Sequence, residues 1–334
     1  LEKKERPFIS IIIAVRNEAQ VIERCLNSLV AQEYPADNYE ILIGNDASTD
    51  NTEAIVNGYV GKYKNIKCFF IKDLINGLQG KSNVLAQLTK KAKGTYILFT
   101  DADMQLPKNW IVNMLQCSSS KTGILNGYSL PLVNNMFSAL QAIDWLMAQK
   151  QLQILSKWEI PVTAMGNNML VKKEAYDSTG GYEALGFSVT EDFQLFRAIV
   201  NKGWGFDNAF NKSAPGLTIP EKTISSLISQ RLRWMQGALC LPFKIRLLLI
   251  LQALLLPLII VLFLFFPVIG LSVMLLRWLL ISLFLWYTIE ETKQFSFRKY
   301  ILFYDAYNLT LSFSLLVMYL FKVKLMWKER QYHI

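Results

Sequence analysis

Apolar, mostly β-branched residues fill positions 8–15 apart from Ser10, the pattern of a strand buried on both faces. Val21, Ile22, Cys25, Leu26 and Leu29 then recur at the spacing of one helix face. The alternation continues. Ile41-Leu42-Ile43 predicts a second strand, positions 46–50 a turn, and the segment through Ile55 and Tyr59 a helix. Cys68-Phe69-Phe70-Ile71 reads as a third strand, and positions 96–100 read as a fourth. Between them Val84, Leu85 and Leu88 mark a helix, with Gly94 as its C-terminal cap. Such alternation predicts an α/β domain built on a parallel sheet covered on both sides, with ligands at the carboxyl ends of the strands. No internal repeat or low-complexity linker interrupts it.

The pattern changes in the last third. Between positions 247 and 287 the only charged residue is Arg277, and between 301 and 321 the only one is Asp305. About 20 apolar residues cross a bilayer core. The first run therefore holds two helices with a break at Pro267-Val268-Ile269-Gly270, and the second holds one more. Just before them, Leu232, Met235 and Leu239 suit one apolar face, while Arg231, Arg233, Lys244 and Arg246 are basic. Positions 225–246 thus predict an amphipathic helix in the interface plane, with Trp234 at headgroup level. The expected organisation is a juxtamembrane remnant (1–6), a cytosolic α/β domain (7–224), the interface helix (225–246), about three membrane helices (247–321) and a basic tail (322–334). The chain opens with the charged stretch Leu1-Glu2-Lys3-Lys4-Glu5-Arg6, and a missing N-terminal anchor is expected there. Lys322, Lys324, Lys328 and Arg330 in the tail oppose an odd number of spans leaving the cytosol, so a re-entrant hairpin is the alternative topology.

Composition narrows the chemistry. Hydrophobic residues make up 52% of the 334 positions and charged residues 18%, which excludes disorder. From position 225 onward there are 12 Lys/Arg against 4 Asp/Glu, leaving 23 against 22 before it, so the net charge of +9 sits almost wholly beside the apolar runs. That placement suits an anionic membrane surface better than nucleic acid. The single histidine, His333, excludes a Ser-His-Asp triad and an internal histidine base. Four widely spaced cysteines, Cys25, Cys68, Cys117 and Cys240, are expected to be buried thiols.

The carboxylates carry the chemistry. Asp46 follows the second strand, and Asp101 and Asp103 follow the fourth, so all three converge on one sheet edge. Two hard oxygens leaving a strand suit Mg²⁺ or Mn²⁺ bridging to substrate phosphates. No G-x-x-x-x-G-K-[ST] or G-x-G-x-x-G sequence is present; Lys81 after Gly80, before a helix, is either a phosphate contact or an exposed loop lysine. Thr190-Glu191-Asp192 supplies the carboxylate that general-base chemistry needs, or else begins the next helix.

Asp46, Asp101-Ala102-Asp103, Thr190-Glu191-Asp192 and Gln230-x-x-Arg233-Trp234, in this order, resemble the membrane glycosyltransferases of family 2, which include the cellulose, chitin and hyaluronan synthases. Ala14-x-Arg16-Asn17-Glu18 is similar to that family's nucleotide loop, and Gly166-Asn167-Asn168 matches its loop less well. Ceramide glucosyltransferases share the pattern with a comparably small membrane part. The resemblance implies a GT-A, Rossmann-like, mostly parallel catalytic domain that inverts the anomeric centre using a UDP- or GDP-sugar. It implies that Glu18, Asp46, Lys81, Asp101, Gln230 and Arg233 bind the nucleotide sugar and that Asp101 and Asp103 hold Mg²⁺ or Mn²⁺. Asp192 would be the base with Glu191 beside it, and Trp234 would meet a lipid or glycan acceptor at the cytoplasmic membrane. Polysaccharide or cell-envelope glycan synthesis is the expected function. Single-sugar transfer to a lipid and a non-catalytic subunit are the alternatives. A transporter reading of Arg277 and Asp305 is weaker than snorkelling near a helix end or pairing within the bundle.

Overall fold

The computed structural model describes residues 6–75, 77–210, 214–321, 325–327 and 330–332. The expectations for the remnant at 1–6 and the tail at 322–334 lie largely outside the described residues. The chain forms two compact units, one of residues 1–130 and 151–219 and one of residues 131–150 and 220–334.

The first unit is built on a seven-stranded sheet. Its elements run β1 (Ile9–Val15), α1 (Ile22–Val30), β2 (Tyr39–Asn45), α2 (Thr52–Lys62), β3 (Ile66–Phe70), α3 (Gly80–Thr89), β4 (Tyr96–Thr100) and α4 (Trp110–Cys117). Next come β5 (Thr122–Asn126), β6 (Ser129–Pro131) and α5 (Met136–Lys157), which runs across the boundary between the units. It closes with β7 (Asn168–Lys172), α6 (Lys173–Ser178), α7 (Gly181–Leu185), α8 (Glu191–Asn201), β8 (Gly205–Asn208) and β9 (Gly216–Thr218). The strand order is β3-β2-β1-β4-β7-β5-β8. β1, β2, β3 and β4 are parallel, and β7 enters antiparallel to both β4 and β5.

The apolar run of β1, interrupted only by the buried Ser10, is explained by burial on both faces. Ile9, Ile11, Ile13 and Val15 pack with α1 residues Ile22, Cys25, Leu26 and Leu29. Ile12 faces the other way, into a cluster with Leu42 and the α3 residues Val84, Leu85 and Leu88. α3 lies close on β2, since a Cβ on Gly44 would fall 2.3 Å from Val84 Cγ1. Gly94 corrects an expectation. α3 ends at Thr89, and Gly94 serves backbone packing: a Cβ there would sit 2.4 Å from the Ser10 nitrogen.

The second unit is helical. α9 (Ile224–Leu239) begins with a reciprocal cap between Thr223 and Ser226 and ends before Pro242. α10 (Phe243–Phe265), α11 (Pro267–Thr292), a 3-10 turn at Phe295–Tyr300 and α12 (Ile301–Leu320) follow. The break between α10 and α11 falls at Phe266, with Pro267 opening the second helix. Phe243–Phe265, Pro267–Thr292 and Phe295–Leu320 are each long and apolar enough to cross a membrane. A short antiparallel pair, β10 (Leu325–Trp327) and β11 (Arg330–Tyr332), completes the described elements.

Candidate active site

The site is assembled at the carboxyl edge of β1, β2 and β4, on either side of the β1/β4 switch in strand order. Two loops are sewn together there by side chains bonding to backbone. Asn17 N–H donates to Ser48 Oγ at 3.1 Å, and Thr49 N–H donates back to Asn17 Oδ1 at 2.8 Å. Glu18 N–H donates to Thr52 Oγ1 at 2.8 Å, and Ala19 N–H to Asp50 Oδ2 at 3.1 Å. Arg16 Nη1 donates to the Asp46 carbonyl at 2.8 Å and lies 3.7 Å from its carboxylate. Asn17 (φ 54°) and Ala47 (φ 51°) are both left-handed, a costly conformation for residues bearing a Cβ. Glu18 and Asp46 are thus held at neighbouring strand ends.

Past β4, Lys81 is the centre of the carboxylates. It is the second residue of α3, and its Nζ lies 2.7 Å from Asp101 Oδ1 and 3.1 Å from Glu191 Oε1. Burial works against the ammonium, yet Asp101, Glu191 and Asp192 outweigh it and hold Lys81 above the ordinary lysine range. Burial also pushes the Glu191 carboxyl up, with Asp192 adding to the effect and Lys81 opposing it. Both acidic residues lie in the first turn of α8, where the helix dipole favours negative charge.

They are not equivalent. Glu191 is buried against Lys81. Asp192 is half-buried, and its carboxylate accepts from Gly166 N–H and Phe193 N–H, both at 2.8 Å. Gly166 allows this approach, since a Cβ there would stand 3.0 Å from Asp192 Cβ.

Asp103 is fixed by residues distant in sequence. The Thr218 hydroxyl donates to its Oδ2 at 2.6 Å, and Arg24 donates to its carbonyl. A two-way backbone bridge between Gln105 and Leu217, both bonds at 2.8 Å, sets Thr218 in place. Sequence spacing carried no signal for Thr218. Cys25 lies beneath the Asp101 carbonyl, and burial, then Asp103 and Asp101, push its thiol well above the usual range. It alone is the buried thiol expected: Cys68 and Cys117 are half-buried and Cys240 is exposed.

Among the described residues, no group of three or more His, Cys, Asp or Glu side chains gathers as a metal cage. Asp101 and Asp103 supply two hard oxygen donors, both half-exposed. That set fits Mg²⁺ or Mn²⁺ held by one or two carboxylates with phosphate oxygens completing the shell.

Gln230, Arg233 and Trp234 lie in the helical unit, on α9. Gln230 Nε2 donates to Glu221 Oε1 at 3.0 Å. The Trp234 ring packs edge-on to Trp145, with centroids 5.4 Å apart, and the Arg231 guanidinium stands 4.3 Å over it.

A mostly parallel sheet carrying aspartates on its carboxyl edge is the architecture of a GT-A domain. It is similar to the mannosyltransferase PcManGT from Pyrobaculum calidifontis, solved with GDP-Man and Mn²⁺, at a TM-score of 0.53 and 19% identity over 69% of this chain and 62% of that one. Residues 2–334 match glycosyl transferase family 21, and the chain belongs to that family. It is 28% identical over 243 residues to a beta-monoglucosyldiacylglycerol synthase of Nostoc sp., covering 69% of this chain and 49% of that protein. It is 27% identical over 201 residues to the 4,4'-diaponeurosporenoate glycosyltransferase of Staphylococcus aureus, covering 58% of this chain and 52% of that protein. The chain spans about half the length of these curated relatives.

Proposed function

We propose that the chain catalyses inverting transfer of a sugar from a nucleotide-diphosphate sugar to a membrane-associated acceptor, with a lipid hydroxyl as the favoured acceptor. The observation that carries this reading is the unequal pair at the start of α8. Glu191 is committed to Lys81, while Asp192 presents a carboxylate oriented by two backbone N–H groups. A fixed, partly accessible carboxylate suits a general base. Asp192 takes the proton of the acceptor hydroxyl as its oxygen bonds to the anomeric carbon. The bond from that carbon to the diphosphate oxygen breaks on the opposite face, so the configuration inverts.

Glu18 and Asp46, on their interlocked loops, are assigned to the nucleoside. Asp101 and Asp103 are assigned to Mg²⁺ or Mn²⁺, which when bound would supply positive charge for the departing diphosphate. Lys81 keeps Asp101 and Glu191 in place. The motif resemblance assigns Gln230 and Arg233 to the donor and Trp234 to the acceptor. The names of both relatives, a synthase of a glucosylated diacylglycerol and a glycosyltransferase of a diaponeurosporenoate, support a lipid acceptor. The three apolar helices support a membrane location, proposed here as the cytoplasmic membrane with the α/β unit in the cytosol.

The test uses the full chain in detergent with Mg²⁺ or Mn²⁺, a panel of UDP- and GDP-sugars, and membrane lipid extract. Release of nucleoside diphosphate from one donor, stimulated by lipid and lost in Asp103→Ala, is the expected result. Donor binding without release from any sugar would overturn the reading.

A further inference from the structure

Helices α10, α11 and α12 enclose a polar cluster that the proposed reaction does not use. Arg277 Nε pairs with Asp305 Oδ1 at 3.0 Å. Its two other nitrogens reach Gln252 Oε1 and Asn308 Oδ1, both at 3.3 Å, and Gln252 donates to Asn308 Oδ1 at 2.6 Å. Asp305 and Tyr304 are buried, at 4% and 1% exposure. Polar groups among apolar helices are costly, and pairing alone leaves their purpose open.

The cluster continues outward without a break. Asn308 Nδ2 donates to the Tyr304 hydroxyl at 3.3 Å, and that hydroxyl donates to Asp144 Oδ1 at 3.2 Å. The other carboxylate oxygen of Asp144 pairs with Arg231 Nη2 at 2.7 Å. Arg231 in turn stands over the Trp234 ring, which rests against Trp145, the neighbour of Asp144 on α5. The whole series lies within the helical unit.

We infer that Asp144 and Tyr304 are positioning residues for Trp234: the polar chain from Arg277 through Asn308, Tyr304 and Asp144 to Arg231 fixes the indole's orientation from among the apolar helices. α5 grips the ring twice, directly through Trp145 and through Asp144 by way of Arg231. The rigid, planar guanidinium suits this task, since it pairs with a carboxylate and stacks on an aromatic face at once. α12 is then the element whose position is felt at Trp234. The consequence for acceptor use rests on the acceptor role proposed for Trp234; the positioning itself does not.

Tyr304→Phe tests the inference because it keeps the buried ring and deletes only the bridging hydroxyl. In the full chain in lipid nanodiscs, acrylamide quenching of Trp234 is isolated as the difference between each background and its Trp234→Phe counterpart. Quenching of Trp234 is expected to rise in Tyr304→Phe and in Asp144→Asn. The KM for acceptor is expected to rise about tenfold, the size of losing a hydrogen bond to a charged group, with the KM for donor and the hydrolysis of donor by water unchanged. Combining Tyr304→Phe with Arg231→Lys should add less than the two single effects together, as expected for one connected chain. Unchanged quenching in Tyr304→Phe would overturn the inference, as would donor and acceptor KM rising together, the mark of general loosening. Should the wild-type chain transfer no sugar, the proposed function falls and the quenching alone decides this inference.

Discussion

Each unit holds a basic side chain among acceptors, and the two use opposite chemistry. Lys81 is a compact ammonium that draws Asp101 from β4 and Glu191 from α8 onto one point. Asp101 stays 35% exposed, so the carboxylate edge remains accessible to solvent. Arg277 spends its planar fork on Asp305, Gln252 and Asn308, three side chains from two other helices. A point charge gathers carboxylates without fixing the direction of each contact. A fork satisfies a fixed set of partners, as groups away from water require. One centre draws together a strand end and a helix start, the other joins side chains from three apolar helices.

The strongest test of the contrast is in the first unit. Asp192→Asn keeps the shape of the site and removes the proposed base. Transfer should fall about a thousandfold while nucleotide binding, followed by calorimetry, survives. Unchanged turnover would remove Asp192 from the mechanism.

Next, Lys81→Met leaves Asp101 and Glu191 without their shared counter-charge and should cost about 3 kcal/mol, read from the unfolding midpoint. This loss depends on pH. Glu191 titrates above its ordinary value because burial disfavours its charge, with Asp192 adding to the shift. Its folded state holds the proton more tightly than the unfolded chain. Its contribution is therefore full below the ordinary carboxylate value and fades as pH rises through the raised one. The deficit of Lys81→Met should shrink as pH falls toward the carboxylate range, and a pH-independent deficit would show that Glu191 is not the group left unpaired.

Arg277→Lys keeps the charge for Asp305 but gives up the fork. A loss of about 2 kcal/mol is expected in the thermal midpoint of the detergent-solubilised chain. Full tolerance of lysine there would erase the contrast between the two centres.

A smaller effect is expected of Gly166→Ala. The new Cβ would stand 3.2 Å from Asp192 Oδ2, so the carboxylate must shift by a few tenths of an ångström. The kcat should fall about tenfold with the unfolding midpoint little changed.

Smallest of all, Glu290→Gln breaks the exposed pair with Arg298 at the end of α11 and should change stability by less than about 0.5 kcal/mol.

Much of the architecture was legible in order along the chain, because each signal was local. Runs rich in β-branched residues meant strands covered on two faces, as Ile9 to Val15 show by near-complete burial. The apolar stretches around Arg277 and Asp305 meant long helices, broken where proline removes a backbone donor. The boundaries of β2 and β3 were missed by two residues at their starts, where polar residues such as Glu40 and Lys67 continue the strand. Those two pair with each other at 3.1 Å, a contact between neighbouring strands that no local pattern announces.

The sequence by itself determined which residue types were available: no internal histidine, a clustered set of aspartates and a basic, apolar end. Those are properties of composition and short spacing. Only the tertiary structure decided which of these residues share a charge. It made Lys81 the partner of Asp101 and Glu191, set Thr218 on Asp103, and joined Asp144 to Arg231 and Tyr304. These partners are separated by tens to more than a hundred positions. Their meeting depends on strand order and helix packing, which bring distant residues together through interactions no local window contains.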